Sequence, residues 1–69
     1  MLVFGIDPGS TVTGYGVVRS GRGRVHLIGC GHIRTKADTP IPERLARIYD
    51  GLAAALAEYK PDTVAIEAI

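Results

Sequence analysis

Apolar residues recur along the chain in two different periods, and each period predicts its own element. Residues 2 to 6, Leu-Val-Phe-Gly-Ile, form a short continuous apolar run that ends at Asp7. A run of this length without alternation predicts a central strand covered on both faces. Pro8, Gly9 and Ser10 must then turn the chain, because proline fixes its own φ and glycine reaches conformations closed to other residues. Residues 13 to 19, Thr-Gly-Tyr-Gly-Val-Val-Arg, and residues 24 to 34 have strand composition, with Ser-Gly-Arg-Gly as a tight reversal between them. A β-hairpin is therefore expected after the first strand. Glycines at 14, 16, 29 and 31 weaken isolated strands, which predicts close backbone approach or a bulge.

Residues 36 to 42, Lys-Ala-Asp-Thr-Pro-Ile-Pro, read as a linker. A helix is expected to begin near Pro42 or Glu43, where a missing proline N–H does no harm and an acid complements the helix dipole. Leu45, Ile48, Tyr49, Leu52, Leu56 and Tyr59 recur at spacings of three and four, one face of a helix about 17 residues long. Gly51 inside it predicts a close packing contact against the sheet, since glycine there costs about 1 kcal/mol relative to alanine. Pro61 stops the helix, and residues 63 to 69, Thr-Val-Ala-Ile-Glu-Ala-Ile, read as a strand returning parallel to an earlier one. The predicted order is β-β-β-α-β.

The length of 69 residues allows at most one domain, and a chain of this size buries only about 60% of its unfolded surface, so marginal stability is expected. With 46% apolar and 22% charged residues, the composition is that of a folded globular chain rather than a disordered one. No stretch approaches the roughly 20 apolar residues of a membrane span, so no membrane partner is expected. The N-terminus lacks a basic region and a cleavage site and reads as a strand rather than a signal peptide. Cys30 is the single cysteine, which excludes an intramolecular disulfide and favours a reducing, cytoplasmic setting.

A net charge of +1 gives no forecast of nucleic-acid binding by itself. Bases do cluster locally, at Arg19, Arg22, Arg24, Arg34 and Lys36. They serve either as a solvated hairpin edge protected by charge or as a phosphate-facing surface, with Arg34 and Lys36 as the candidates for phosphate contact.

Asp7 stands at the end of one apolar strand and Glu67 near the end of another, where open α/β sheets place their ligand sites. If those strands are parallel neighbours, the two acids lie side by side. The hairpin fills one side of the first strand and leaves the other free for that arrangement. Carboxylates about 4 Å apart repel by roughly 4 kcal/mol at an effective dielectric near 20, so such a pair shares a proton or binds a cation. Oxygen ligands select Mg²⁺ or Mn²⁺, and nucleases use two such ions about 3.5 to 4 Å apart. The competing structural roles are an Asp7 side chain capping the following turn and an ordinary Glu67 at a strand end, although an acid inside Val-Ala-Ile-Glu-Ala-Ile is expensive without a partner.

Other chemistry finds less support. Cys30 and His32 supply two of the four ligands of a structural zinc site, with His26 a third, and ordinary strand packing is the expected role of all three. No Walker A pattern occurs, no Gly-x-Gly-x-x-Gly follows the first strand, and Ser10 lacks the Gly-x-Ser-x-Gly elbow of a hydrolase.

Four blocks in order, residues 5 to 18 (Gly-Ile-Asp-Pro-Gly-Ser-Thr-Val-Thr-Gly-Tyr-Gly-Val-Val), 31 to 35 (Gly-His-Ile-Arg-Thr), 44 to 52 (Arg-Leu-Ala-Arg-Ile-Tyr-Asp-Gly-Leu) and 61 to 67 (Pro-Asp-Thr-Val-Ala-Ile-Glu), resemble RuvC-type Holliday-junction resolvases. The resemblance spans essentially the whole chain. It implies an α/β, ribonuclease-H-like fold, of which residues 1 to 69 are the N-terminal part of one nuclease domain, with four strands of a mixed five-stranded sheet. It further implies an endonuclease that hydrolyses four-way junction DNA with two Mg²⁺ ions, Mn²⁺ being able to substitute. The complete protein is expected to act as a homodimer beside the branch-migration proteins of recombination. Asp7 and Glu67 match the first two of the family's four acids, and the other two come from a later helix beyond residue 69. An aromatic residue that follows the second acid in the family is replaced by Ala68 and Ile69. These 69 residues alone are accordingly expected to be inactive. Two rival readings are a phosphate-binding segment of an actin-like or sugar-kinase-type ATPase and a non-catalytic assembly fragment. Against the former stand the Arg-x-x-x-Ile-Tyr-x-Gly-Leu and Ala-Ile-Glu blocks, which resemble the resolvases and not the kinases.

Overall fold

A computed structural model describes residues 1–67 of the chain. It contains β1 (Leu2–Asp7), β2 (Val12–Gly21), β3 (Arg24–Arg34), α1 (Ile41–Tyr59) and β4 (Thr63–Ile66), in the predicted order β-β-β-α-β. The predicted extension of the last strand through 68 and 69 lies outside the described residues. The sheet order is β3-β2-β1-β4, with β1 antiparallel to β2, β2 antiparallel to β3, and β1 parallel to β4.

The hairpin is longer and its turn tighter than the composition suggests. Gly21 still pairs with Arg24, which leaves only Arg22 and Gly23 in the turn, at φ 52° and 74°. Positive φ at both central residues is what a two-residue type I′ turn requires, and its twist matches that of the flanking strands. The expected bulge is present: Val17 pairs with Gly29 but Val18 pairs with Leu27, so Ile28 is the extra residue.

The core forms on one face of the sheet. Phe4 and Val17 are cross-strand partners, both fully buried, and Ala55 of α1 packs over them. Tyr15 stacks on Phe4 with ring centroids 5.1 Å apart, and Leu2, Ile6, Leu52, Leu56 and Tyr59 form the half-buried rim. The close contact expected at Gly51 exists: a Cβ there would come within 2.7 Å of Ile33 Cγ1 on β3.

Two expectations need correction. The helix does not present the whole predicted stripe to the sheet, since Leu45 and Tyr49 are 61% and 72% exposed. Ile48, Leu52, Leu56 and Tyr59 of the stripe do face inward, joined by Ala55, because the small residues Gly51 and Ala55 are where the helix axis can approach most closely. In addition, β1 is interior in strand order but covered on one face only. Strand side chains alternate, so the helix covers Leu2, Phe4 and Ile6 while Val3, Gly5 and Asp7 face the other way, where no second layer exists among the described residues.

The helix begins at Ile41, slightly before the predicted start, with Pro42 in the first turn, where its missing N–H costs nothing. It ends at Lys60 in the left-handed conformation, φ 50° and ψ 59°, whose N–H donates to the Leu56 carbonyl at 2.9 Å. Only glycine occupies that region without steric penalty. Lys60→Gly is therefore expected to stabilise the chain by about 0.5–1 kcal/mol, the relief of strain exceeding the added chain entropy. Urea denaturation followed by circular dichroism measures this, and an unchanged or lower midpoint would contradict it.

Candidate metal centre

The site depends on how β4 is held against β1. Asp62 clasps the start of the pair: its carboxylate accepts from the Leu2 N–H at 2.6 Å, and its own N–H donates to the Leu2 carbonyl at 2.8 Å. From there the parallel register runs Val3↔Thr63, Phe4↔Val64, Gly5↔Ala65 and Ile6↔Ile66. The Glu67 N–H then donates to the Ile6 carbonyl at 3.0 Å. One step beyond the last pair, Glu67 falls beside Asp7, on a strand about 4.8 Å away.

Both acids are exposed and line one concavity of about 500 Å³, together with Gly14, Gly16, Cys30 and His32. Its floor follows from cross-strand rows. Asp7 pairs with Gly14 and Gly14 with His32; Gly5 pairs with Gly16 and Gly16 with Cys30. Glycine in the middle of each row leaves no side chain between the carboxylates and the β3 wall. The result is an open trough with bare backbone at its base and two acids along one side.

The loop that follows Asp7 is tied down from outside. The Arg44 guanidinium of α1 donates to the Ser10 carbonyl, and the Thr35 N–H donates to the Thr11 carbonyl at 2.8 Å. No hydrogen bond among the described residues links the Asp7 carboxylate to the turn at 8 to 11, so turn capping does not account for that acid.

Adjacent carboxylates with oxygen donors only suit a hard divalent cation, since Mg²⁺ takes one or two carboxylates and keeps its remaining positions for water and phosphate. Among the described residues no set of three or more His, Cys, Asp or Glu is arranged to hold a metal, which disposes of a zinc site built from Cys30, His32 and His26. His26 pairs with Arg19 on the other side of the bulge.

His32 is nevertheless placed differently from a plain strand residue, as a wall of the trough. The cause is the bulge. Counted back from the hairpin turn without Ile28, His32 would oppose Thr13 and point to the helix face; the extra residue shifts it opposite Gly14, on the carboxylate face. Period-two patterning alone could not show this, because a one-residue insertion reverses the parity of everything beyond it. Arg34 and Lys36 do not enter the trough. They line a second concavity at the same edge of the sheet, with Arg47 of α1, a residue the sequence did not single out for this purpose.

Comparison with known proteins identifies the family and the fold. The family model described as crossover junction endodeoxyribonuclease RuvC matches residues 3–69. A crossover junction endodeoxyribonuclease RuvC from Syntrophomonas wolfei is 55% identical over the whole chain, which spans 40% of that relative's length. The structure of Thermus thermophilus RuvC in complex with Holliday junction substrate superposes with a TM-score of 0.88 at 36% identity, covering 99% of this chain and 42% of that one. An Aquifex aeolicus member of the Ppx/GppA family superposes at 0.74 with 18% identity, a likeness of fold alone, covering 96% of this chain and 25% of that one. With a mixed sheet and helix that match a ribonuclease-H-like RuvC structure, and sequence identity sustained from end to end, the chain belongs to the RuvC family.

Proposed function

We propose that the chain is the N-terminal part of a single nuclease domain that hydrolyses phosphodiester bonds in four-way DNA junctions during recombination and repair. The observation that carries this reading is the parallel register that brings Asp7 and Glu67 together at one edge of the sheet, in a chain of the RuvC family. Asp7 and Glu67 are the metal ligands and the catalytic acids this chain contributes. Mg²⁺, with Mn²⁺ able to substitute, is the cation their oxygen donors suit, and two ions belong to the complete site, with the remaining acids supplied from beyond residue 69. When bound, such ions activate water and neutralise charge on the phosphate under attack. The chain's own residues hold the carboxylates at strand-ladder spacing, keep the floor flat with Gly5, Gly14 and Gly16, and leave the trough open to a DNA strand. The complete protein works in the cytoplasm as a homodimer on the junction, beside branch-migration proteins.

Calorimetric titration with Mn²⁺ tests the ligand assignment. The wild type is expected to bind, and Glu67→Gln to lose most of the heat, since a neutral amide cannot replace a carboxylate on a hard cation. Undiminished binding in a folded Glu67→Gln chain would remove Glu67 from the site.

A further inference from the structure

The second concavity, about 650 Å³, opens between the end of β3 and the first turns of α1, and no metal chemistry explains it. Arg34, Lys36 and Arg47 line it, against a single acid, Glu43. Arg47 is fixed in place: its Nε donates to the Arg34 carbonyl at 2.6 Å. That contact uses one of the five guanidinium N–H groups and leaves the others available in a planar fork suited to phosphate oxygens. In the wall stands Thr35, whose Oγ1 is buried without any hydrogen-bond partner. An orphaned buried hydroxyl is uncommon in a folded protein and asks for a partner.

Position along the sheet relates this cleft to the trough. The pair Val12↔Arg34 lies two residues beyond Gly14↔His32, at the end of the sheet that carries Asp7; alternation gives Arg34 the face of Asp7, whereas Glu43 and Arg47 come from the helix side, so the cleft lies around the end of β3 from the trough. With strands about 4.8 Å apart and a rise of about 3.4 Å per residue, the Arg34 backbone lies roughly 12 Å from that of Asp7. A DNA strand advances about 3.4 Å per nucleotide along its axis, so a strand crossing the trough reaches the cleft within a few nucleotides.

Resting on the nuclease reading, we propose that this cleft is a second phosphate-binding site, in which Arg34, Lys36, Arg47 and the Thr35 hydroxyl hold a backbone phosphodiester of the DNA strand a few nucleotides from the one at Asp7 and Glu67. It acts as a register contact, setting which bond of the strand lies over the carboxylates.

The test is the salt dependence of binding to a labelled four-way junction, read by fluorescence anisotropy in the protein that carries this chain, with circular dichroism confirming that each variant is folded. Each cation neutralising a phosphate contributes about one unit to the slope of log affinity against log salt. The paired variant Arg34→Gln/Lys36→Gln, which leaves the Arg34 carbonyl and its bond from Arg47 intact, is expected to lower the slope by about two units. Thr35→Val is expected to weaken binding without changing the slope, as removal of an uncharged donor should. Unchanged binding in either variant overturns the site as drawn. Displacement of the junction by millimolar inorganic phosphate at constant ionic strength would instead assign the cleft to free phosphate and overturn the DNA assignment. Asp7→Ala should keep the wild-type slope. Cutting that does not depend on Asp7, combined with loss of slope in the paired variant, would sink the metal reading and leave the phosphate cleft standing.

Discussion

Asp7→Ala, made in the protein that carries this chain, is expected to abolish cutting of a four-way junction by about 1000-fold or more while leaving the junction bound. The size of the effect follows from the role proposed for the acid. A divalent cation in a nuclease supplies both the activation of water and the neutralisation of developing charge, and losing a ligand forfeits both together. Binding should persist, because affinity for DNA comes mainly from cations meeting phosphates. It should if anything tighten, since the substitution removes a negative charge from a trough that phosphate must enter. Cleavage of end-labelled junction in Mg²⁺, run beside anisotropy on the same samples, separates the two effects. Retained cutting would sink the assignment of Asp7. Loss of both cutting and binding would point instead to a structural role for the strand end.

The second large effect concerns stability. Phe4 is fully buried between Tyr15, which stacks on it, and the Val17 and Ala55 side chains of the small core. Phe4→Ala is expected to cost about 3–5 kcal/mol, as removal of a buried ring leaves a cavity that a tightly packed surround fills only in part. Native stability of roughly 0.05–0.15 kcal/mol per residue makes this comparable to the whole free energy of folding for a unit this small. A largely unfolded variant by circular dichroism, or a urea midpoint far below that of the wild type, is the expected result. A loss under about 1 kcal/mol would mean that Phe4 is not the centre of the core. Because Phe4 sits on β1 three residues before Asp7, the same cavity should loosen the strand that positions the carboxylate, and metal binding should weaken with it.

Much of this arrangement is legible in the amino-acid sequence itself. The apolar run at 2 to 6 marks β1, the glycine-rich reversal marks the hairpin, the spacing of three and four with Pro61 after it marks α1, and Gly51 announces close packing. The acids at the ends of two apolar strands stood out as candidate ligands for the same reason: a charge at the edge of a buried run is costly unless it has a partner. These are local signals, carried by propensity and period within a few residues of each position.

Adjacency could not be read in that way. Whether Glu67 lies beside Asp7 or one residue off depends on the register of β4, fixed by the Asp62 clasp on Leu2, a contact between residues far apart in sequence. The face taken by Cys30 and His32 depends on one extra residue, Ile28, which reverses the parity of the β3 segment leading to Arg34. The inward face of α1 was settled by where Gly51 and Ala55 let it approach, leaving Leu45 and Tyr49 outside. Arg47 joined Arg34 and Lys36 only because helix and strand end meet at that edge. The sequence by itself determined which elements form and which residues carry charge at their ends. The tertiary structure decided which of those residues meet, because register and facing are set by hydrogen bonds and packing between distant segments, and a shift of a single residue moves a side chain from one side of the sheet to the other.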